Sequence, residues 1–289
     1  MDVGFWVLQL LNALQLSMLL FLLSIGLTVI FGLMHFVNLA HGALYAFGAY
    51  VAATVSVAFG FWGGVLVAPL AVALLGLIIY KLLIQRMRHS GPMAQVLVTF
   101  GLIFAFLDLT RMIWGDLALA LEIPEVLQGR LSIGTVEYPI YRLFVMSVGL
   151  IALAFLHFVL TKTQIGAMIR AGVDNGQMAQ CMGINVERLF LTVFCFGCGL
   201  AGLAGSIAAP LLSVVPEMGL EILIPCLIVI VIGGLGSLKG ALAGSLIYGF
   251  VQTFGAVLAP QIASVAIYVL LAVILITKPS GLFPAKAGQ

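Results

Sequence analysis

The chain is poor in charged residues. Asp, Glu, Lys and Arg together make up 8% of its 289 residues, whereas 63% are hydrophobic. None of these four charged types occurs between Asp2 and Lys81. A soluble protein uses roughly a quarter charged residues, so the composition excludes a water-soluble monomer. At about 20 apolar residues per bilayer crossing, the interval before Lys81 alone accommodates about three spans.

Motifs for bound nucleotides and metals are also missing. The sequence has no Gly-x-x-x-x-Gly-Lys-Ser/Thr loop, so we expect it to bind no ATP itself. Its four histidines and four cysteines form no cluster with metal-ligand spacing. Cys195 and Cys198 have the spacing of a redox pair, but in an apolar run we interpret them as packing residues. We therefore predict no catalytic residue, no metal, no cofactor bound by this chain and no nucleic-acid partner.

The apolar runs predict an all-α polytopic membrane protein with a single transmembrane domain over residues 1–289. The runs are continuous and do not alternate with period two, which excludes a β-barrel. We count about nine spans, within a range of eight to ten. Gly60, Gly63 and Gly64 predict a tight turn between the second and third. The predicted spans are 5–33, 42–59, 65–83, 93–114, 139–160, 189–212, 222–235, 239–257 and 262–276.

The distribution of basic residues predicts the orientation, because Lys and Arg accumulate in cytoplasmic loops. With the N-terminus outside, the inner side receives Lys81, Arg86, Arg88, Lys162, Arg170, Arg188, Lys239, Lys278 and Lys286. The outer side receives Arg111, Arg130 and Arg142. We therefore predict an outer N-terminus, a cytoplasmic C-terminus, an extracytoplasmic loop over 115–138 and a cytoplasmic loop over 161–188.

The loop 161–188 is the one long polar interval with helix-forming residues, and we interpret it as the docking site of a soluble motor protein. Met168, Met178 and Met182 offer adaptable apolar contacts. An amphipathic helix on the membrane surface is the alternative, which few basic residues and several glycines fit poorly. The candidate coupling residues are Gly166, Arg170, Ala171, Asn175, Ala179, Gly183 and Ile184.

Uncharged polar residues within the spans are candidates for a solute path. An equally open interpretation is that they form hydrogen bonds between helices. Asp108 and Arg111 are three residues apart inside an apolar run, which predicts a local ion pair. So few ionisable groups argue against an ion-coupled carrier and place the energy source outside the chain. The path candidates are Asn12, Gln15, Asn38, His41, Tyr45 and Gln252.

Small residues at i, i+4 spacing predict close helix contacts, either within the chain or across a subunit interface. The candidates are Gly197, Ala201, Gly205, Gly240 and Gly244. The sequence Gly-Ala-Leu followed by Tyr occurs at the same spacing at 42–50 and at 240–248. This match is compatible with an internal inverted repeat, as in many transporters, and also with coincidence.

Four blocks of sequence, in order along nearly the whole chain, resemble the branched-chain (LIV-type) amino acid permeases of ABC transporters. They are VIFGLMHFVNLAHGALYAFGAYVA at 29–52, TQIGAMIRAGVDNGQMAQCMGIN at 163–185, LAGLAG at 200–205 and IVIGGLGSLKGALAG at 230–244. Gln177-Met-Ala with Gly183 also resembles a degenerate EAA loop, although its first two positions depart from that motif. The chain is most similar to the shorter of the family's two paired permeases.

The resemblance implies an importer subunit in the bacterial cytoplasmic (inner) membrane that works by alternating access. A second related permease, two cytoplasmic ATPases that use ATP and Mg²⁺, and an extracytoplasmic binding protein would be its partners. The expected solute is a hydrophobic, branched-chain amino acid. Urea, short amides and small organic acids are alternatives within the class, and a stand-alone channel or facilitator is the alternative outside it.

Overall fold

Helices dominate the computed structural model, which describes residues 3–34, 36–87, 90–134 and 136–284. A π-helical turn, Tyr80–Ile84, joins the second helix to the third. The helices are α1 (Val3–Met34), α2 (His41–Ile79), α3 (Gln85–Met87), α4 (Pro92–Trp114), α5 (Ile140–Lys162), α6 (Gln164–Asp174), α7 (Gly176–Cys181), α8 (Val186–Ala208), α9 (Met218–Gly233), α10 (Leu238–Leu258) and α11 (Ala263–Thr277).

The loop between α4 and α5 contains two short strands. Strands β1 (Arg130–Ile133) and β2 (Val136–Pro139) pair antiparallel, with Arg130 opposite Pro139. A short 3₁₀ helix, Glu125–Leu127, precedes them. The prediction of an entirely helical chain is corrected here, because two short runs flanking Gly134 satisfy their backbone groups by pairing across the turn.

The predicted turn between the second and third spans is present at Gly60. This residue interrupts the helical backbone of α2 with φ +69° and ψ 177°. A Cβ placed on Gly64 would lie 2.6 Å from the Ala52 carbonyl oxygen. Twelve residues of straight helix would separate these two positions by about 18 Å, so α2 folds back on itself at Gly60. Its two arms are 41–59 and 61–79.

Six helical segments are long and apolar enough to cross a membrane: Val3–Met34, His41–Met87, Pro92–Trp114, Ile140–Lys162, Val186–Ala208 and Leu238–Leu258. Met218–Gly233 and Val265–Thr277 are shorter apolar helices. The chain is therefore a polytopic, mainly helical membrane protein. The count of nine spans and the orientation stay predictions.

Helix α8 lies at the centre of the bundle, between the two arms of α2. A Cβ on Gly202 would lie 2.9 Å from Cβ of Val72, and a Cβ on Gly48 would lie 2.5 Å from Cα of Gly202. Further along α8, a Cβ on Gly205 would approach the Ala49 backbone nitrogen to 2.9 Å. Only hydrogen at these positions allows the backbones to approach so closely, and dispersion attraction at this short range holds helices together in lipid.

The predicted packing residues all lie at helix contacts inside this chain. Ala201 is fully buried on α8. A Cβ on Gly197 would lie 2.7 Å from the Ile30 side chain of α1. A Cβ on Gly240 would lie 2.5 Å from the Gly233 carbonyl oxygen, and one on Gly244 would lie 3.1 Å from the Gly233 nitrogen. The choice between contacts within the chain and across an interface is thereby decided for these five positions.

Candidate functional site

Three capping side chains divide the polar interval into two short helices. The Gly166 nitrogen donates to Thr163 Oγ1 at 3.3 Å and starts α6. The Met178 nitrogen donates to Asn175 Oδ1 at 2.9 Å and starts α7. The third cap is Asn185, whose Oδ1 accepts from the Arg188 nitrogen at 2.9 Å at the start of α8. Each cap satisfies a free N–H and fixes a change of direction. We call α6, α7 and their connections (163–185) the elbow.

The elbow exposes a set of large apolar side chains. On α6, Ile165 is 49% exposed and Val173 is 37% exposed. Met178 of α7 is 62% exposed, and Met182 after it is 76% exposed. Apolar groups left exposed in this way, on a segment too polar to lie in lipid, are suited to a protein partner. Sequence reasoning selected the two methionines and missed Ile165 and Val173, although both belong to the apolar positions of α6.

Several predicted coupling residues hold the elbow together from within. Gly166 is buried, and a Cβ there would lie 2.5 Å from the Val159 carbonyl oxygen of α5. Ala179 is 4% exposed and belongs to the core. Ala171 and Ile184 are half-buried against the same core. These residues therefore position the elbow, and the surface available to a partner comes from their neighbours.

The remaining three predicted coupling residues are exposed, each with a defined local role. Arg170 donates from Nη1 to the Leu160 carbonyl oxygen at the end of α5. Asn175 forms the cap of α7. Gly183 has φ +86°, in the left-handed region, and turns the chain from α7 towards α8. Met168, the third methionine of the sequence prediction, is half-buried against the core.

Asn38, His41 and Tyr45 are brought together in the interior at the start of α2. All three are at most 1% exposed. His41 Nε2 lies 3.1 Å from the Leu23 carbonyl oxygen of α1. Asn38 Nδ2, His41 Nδ1 and Tyr45 Oη have no hydrogen-bond partner within the described part of the chain. Most buried polar atoms in proteins have a partner, so this cluster has unused capacity to bind a polar group or water.

The other path candidates lie elsewhere. Asn12 Oδ1 accepts a hydrogen bond from Arg142 Nη1 at 2.7 Å, which bridges α1 and α5. Gln15 is half-buried on the next turn of α1. Gln252 is half-buried on α10, three residues beyond the contact of Gly249 with Ser17. Asn12 thus has the helix-bridging role that was the alternative to a path residue.

Arg111 lies in a network that is larger than the predicted pair. Its guanidinium is 3.9 Å from Asp108 Oδ1 and 3.0 Å from Asp116 Oδ1, and it also contacts Glu217. Next to it, two backbone hydrogen bonds of 3.0 Å pair Leu119 with Val214. Together these contacts fasten the α4–α5 loop to the segment that precedes α9.

The described residues offer no group of three or more metal-binding side chains. The four cysteines are free, with Cys198 buried and Cys195 half-buried in α8. Cys198 packs against α2, where a Cβ on Gly76 would lie 2.8 Å from its Sγ. The interpretation of this pair as packing residues fits that position.

Comparisons with known proteins identify the family. Residues 9–277 match a family model described as the permease component of branched-chain amino acid transport systems. The high-affinity branched-chain amino acid transport system permease LivH of Escherichia coli K12 is 25% identical, over 95% of this chain and 94% of that protein. The probable branched-chain amino acid permease LivH of Methanocaldococcus jannaschii is 31% identical, over 82% and 77%. The L-arabinose ABC transporter permease AraH of Azospirillum brasilense is 30% identical, over 79% and 67%.

Proposed function

The chain belongs to the family of branched-chain amino acid transport permeases, and from this premise we propose that it imports these amino acids as the membrane subunit of an ATP-binding-cassette transporter. It is a multi-pass protein of the inner membrane. Its relatives are named as permeases, not as enzymes, so ATP hydrolysis with Mg²⁺ is assigned to partner subunits. We place this chain as the shorter member of a permease pair, next to a second related permease.

The proposed topology has nine crossings, with the N-terminus outside and the C-terminus in the cytoplasm. The two arms of α2 supply two crossings, since Gly60 reverses the chain. The short helices α9 and α11 supply two more. This arrangement puts the elbow on the cytoplasmic side, where the basic residues accumulate, and the β1–β2 loop on the side of an extracytoplasmic binding protein.

The observation that carries the proposal is the elbow itself. It is a capped two-helix segment between two long apolar helices, with Ile165, Val173, Met178 and Met182 exposed. A soluble ATPase that receives these side chains in a groove would connect ATP-driven movement to α8, which follows the elbow directly. Alternating access then requires that the elbow and α8 move while the bundle remains packed.

The substrate class is the less constrained part of the proposal. The family description and both LivH relatives name branched-chain amino acids, whereas AraH is named for L-arabinose. Urea, short amides and small organic acids also fit a path with few charged groups. A stand-alone channel remains the competing function, but it gives no reason for an exposed, apolar two-helix elbow.

The test is reconstitution of the permease pair, the ATPases and the binding protein in liposomes. We expect uptake of labelled L-leucine that requires ATP and the binding protein, with L-arabinose and urea as competing solutes. Competition by arabinose alone would reassign the substrate. Leucine flux through the permease without ATPases would support the channel and contradict the importer.

A further inference from the structure

A cleft of about 430 Å³ lies between the end of α1, the end of α5 and the elbow. One wall consists of Val29 and Leu33 of α1, and the opposite wall of Ile169 and Val173 of α6. Arg170 and Asp174 also line it. A mostly apolar cleft of this size with a few polar groups is the usual form of a small-molecule site.

The two charged groups are placed to bind a ligand and not each other. Arg170 and Asp174 are four residues apart on α6, which normally allows an ion pair. The structure forms none between them, because the guanidinium of Arg170 turns back to the Leu160 carbonyl oxygen. The cleft therefore presents a cation and an anion on one side and aliphatic side chains on the other.

From this arrangement we propose that the cleft binds a branched-chain α-amino acid in its zwitterionic form. The ligand's carboxylate accepts hydrogen bonds from Arg170, its ammonium donates to Asp174, and its aliphatic side chain contacts Val29, Leu33 and Val173. A sugar or urea has no such pair of charges. This assignment rests on the proposed function for the identity of the solute and for the cytoplasmic position of the elbow.

Occupancy of the cleft has a direct mechanical consequence. The ligand would connect α6 to the end of α1, whereas transport requires that the elbow move relative to the bundle. An amino acid that accumulates in the cytoplasm would therefore slow its own import. This site is distinct from Asn38, His41 and Tyr45, whose buried cluster does not line the cleft.

The test measures L-leucine binding to the permease–ATPase complex in nanodiscs, without the extracytoplasmic binding protein. Because a charge-assisted hydrogen bond is lost, Asp174→Asn should weaken leucine binding about tenfold or more. The same change should leave 4-methylpentanoate binding, which lacks the ammonium, as tight or tighter. Val173→Phe should fill the cleft and abolish binding. Ile165→Phe is the matched control, since Ile165 is exposed on α6 but lies outside the cleft.

Equal leucine affinity in Asp174→Asn and wild type would overturn the proposal, because binding would then lie on the path or elsewhere. So would equal effects of Val173→Phe and Ile165→Phe. Failure to bind leucine, combined with release of the ATPases by Asp174→Asn, would assign the cleft to the ATPase instead. In liposomes preloaded with leucine, wild-type uptake should fall relative to empty liposomes, and Val173→Phe should remove this inhibition. Absence of ATP-dependent uptake in empty liposomes would count against the proposed function, and the nanodisc measurement would still decide this one.

Discussion

Gly183 is the position where a single substitution best separates the elbow's shape from its chemistry. It ends α7 with φ +86°. Its nitrogen donates to the Gln180 carbonyl oxygen at 2.9 Å, and the Ile184 nitrogen donates to the Ala179 carbonyl oxygen at 3.0 Å. These two bonds form a Schellman cap, which requires a left-handed residue at this point. Glycine adopts that conformation without strain, and most other residues do not.

The magnitude follows from the local surroundings of Gly183. No described atom lies within 4 Å of a Cβ added there, so a substitution causes no collision and the cost is backbone strain alone. Alanine in the left-handed conformation costs about 1–2 kcal/mol. If the ATPases bind the native elbow, this strain corresponds to roughly a 5- to 30-fold loss of ATPase affinity. Gly183→Asn should lose less, because Asn tolerates this conformation, and Gly183→Val should lose more.

The assay is ATPase binding to the permease in nanodiscs, measured by biolayer interferometry at several ATPase concentrations. Gly115 is the matched control, since its φ is +81° and a Cβ there also has no described atom within 4 Å. It ends α4 at the opposite end of the bundle, so Gly115→Ala and Gly115→Val carry the same strain away from the elbow. Unchanged ATPase affinity in Gly183→Val, or an equal loss in Gly115→Val, would refute the reasoning.

Three further predictions concern packing, the Arg111 network and orientation. Gly205→Ala should destabilise the bundle by about 1–3 kcal/mol through overpacking, seen as an earlier melting transition in fluorescence-detected gel filtration. Gly101→Ala has open space around its Cβ and should be neutral or slightly stabilising. Arg111→Gln should lower the melting temperature more than Arg130→Gln, since among the described residues Arg130 pairs with Glu137 alone; equal shifts would contradict the network. Cys181 is exposed, so an impermeant maleimide should label it in inside-out but not right-side-out vesicles, and bound ATPases should protect it; the reverse pattern would invert the topology.

The sequence predicted helix limits well where the signal is local. Asn185 caps α8 immediately after Gly183, and the backbone reverses at Gly60 as the glycine cluster indicated. It also located the i, i+4 glycines correctly. Their partners could not be predicted, because the contact of Gly202 with Gly48 joins residues far apart in the sequence. The β-hairpin was missed, although Gly134 between two short runs was a usable turn signal.

The candidate site shows the same limit more sharply. A glycine in a polar loop indicates either a hinge or a close contact, and only the position of α5 shows that Gly166 is the second kind. Ala179 likewise belongs to the core because α7 folds onto the bundle. The salt bridge of Arg111 with Glu217 spans distant parts of the chain, whereas its local pair with Asp108 was predictable from spacing.

The packing of α8 determines how movement of the elbow would spread. α8 begins at its Asn185 cap, two residues after Gly183, and its glycines contact both arms of α2 at backbone distance. Close-packed contacts of this kind do not deform gradually, so α8 and α2 should move as one body. His41 lies on α2 and reaches the Leu23 carbonyl oxygen of α1 at 3.1 Å. A shift of the elbow relative to α1 would therefore alter this contact and the polar cluster around it, which connects the ATPase docking surface to the candidate solute path.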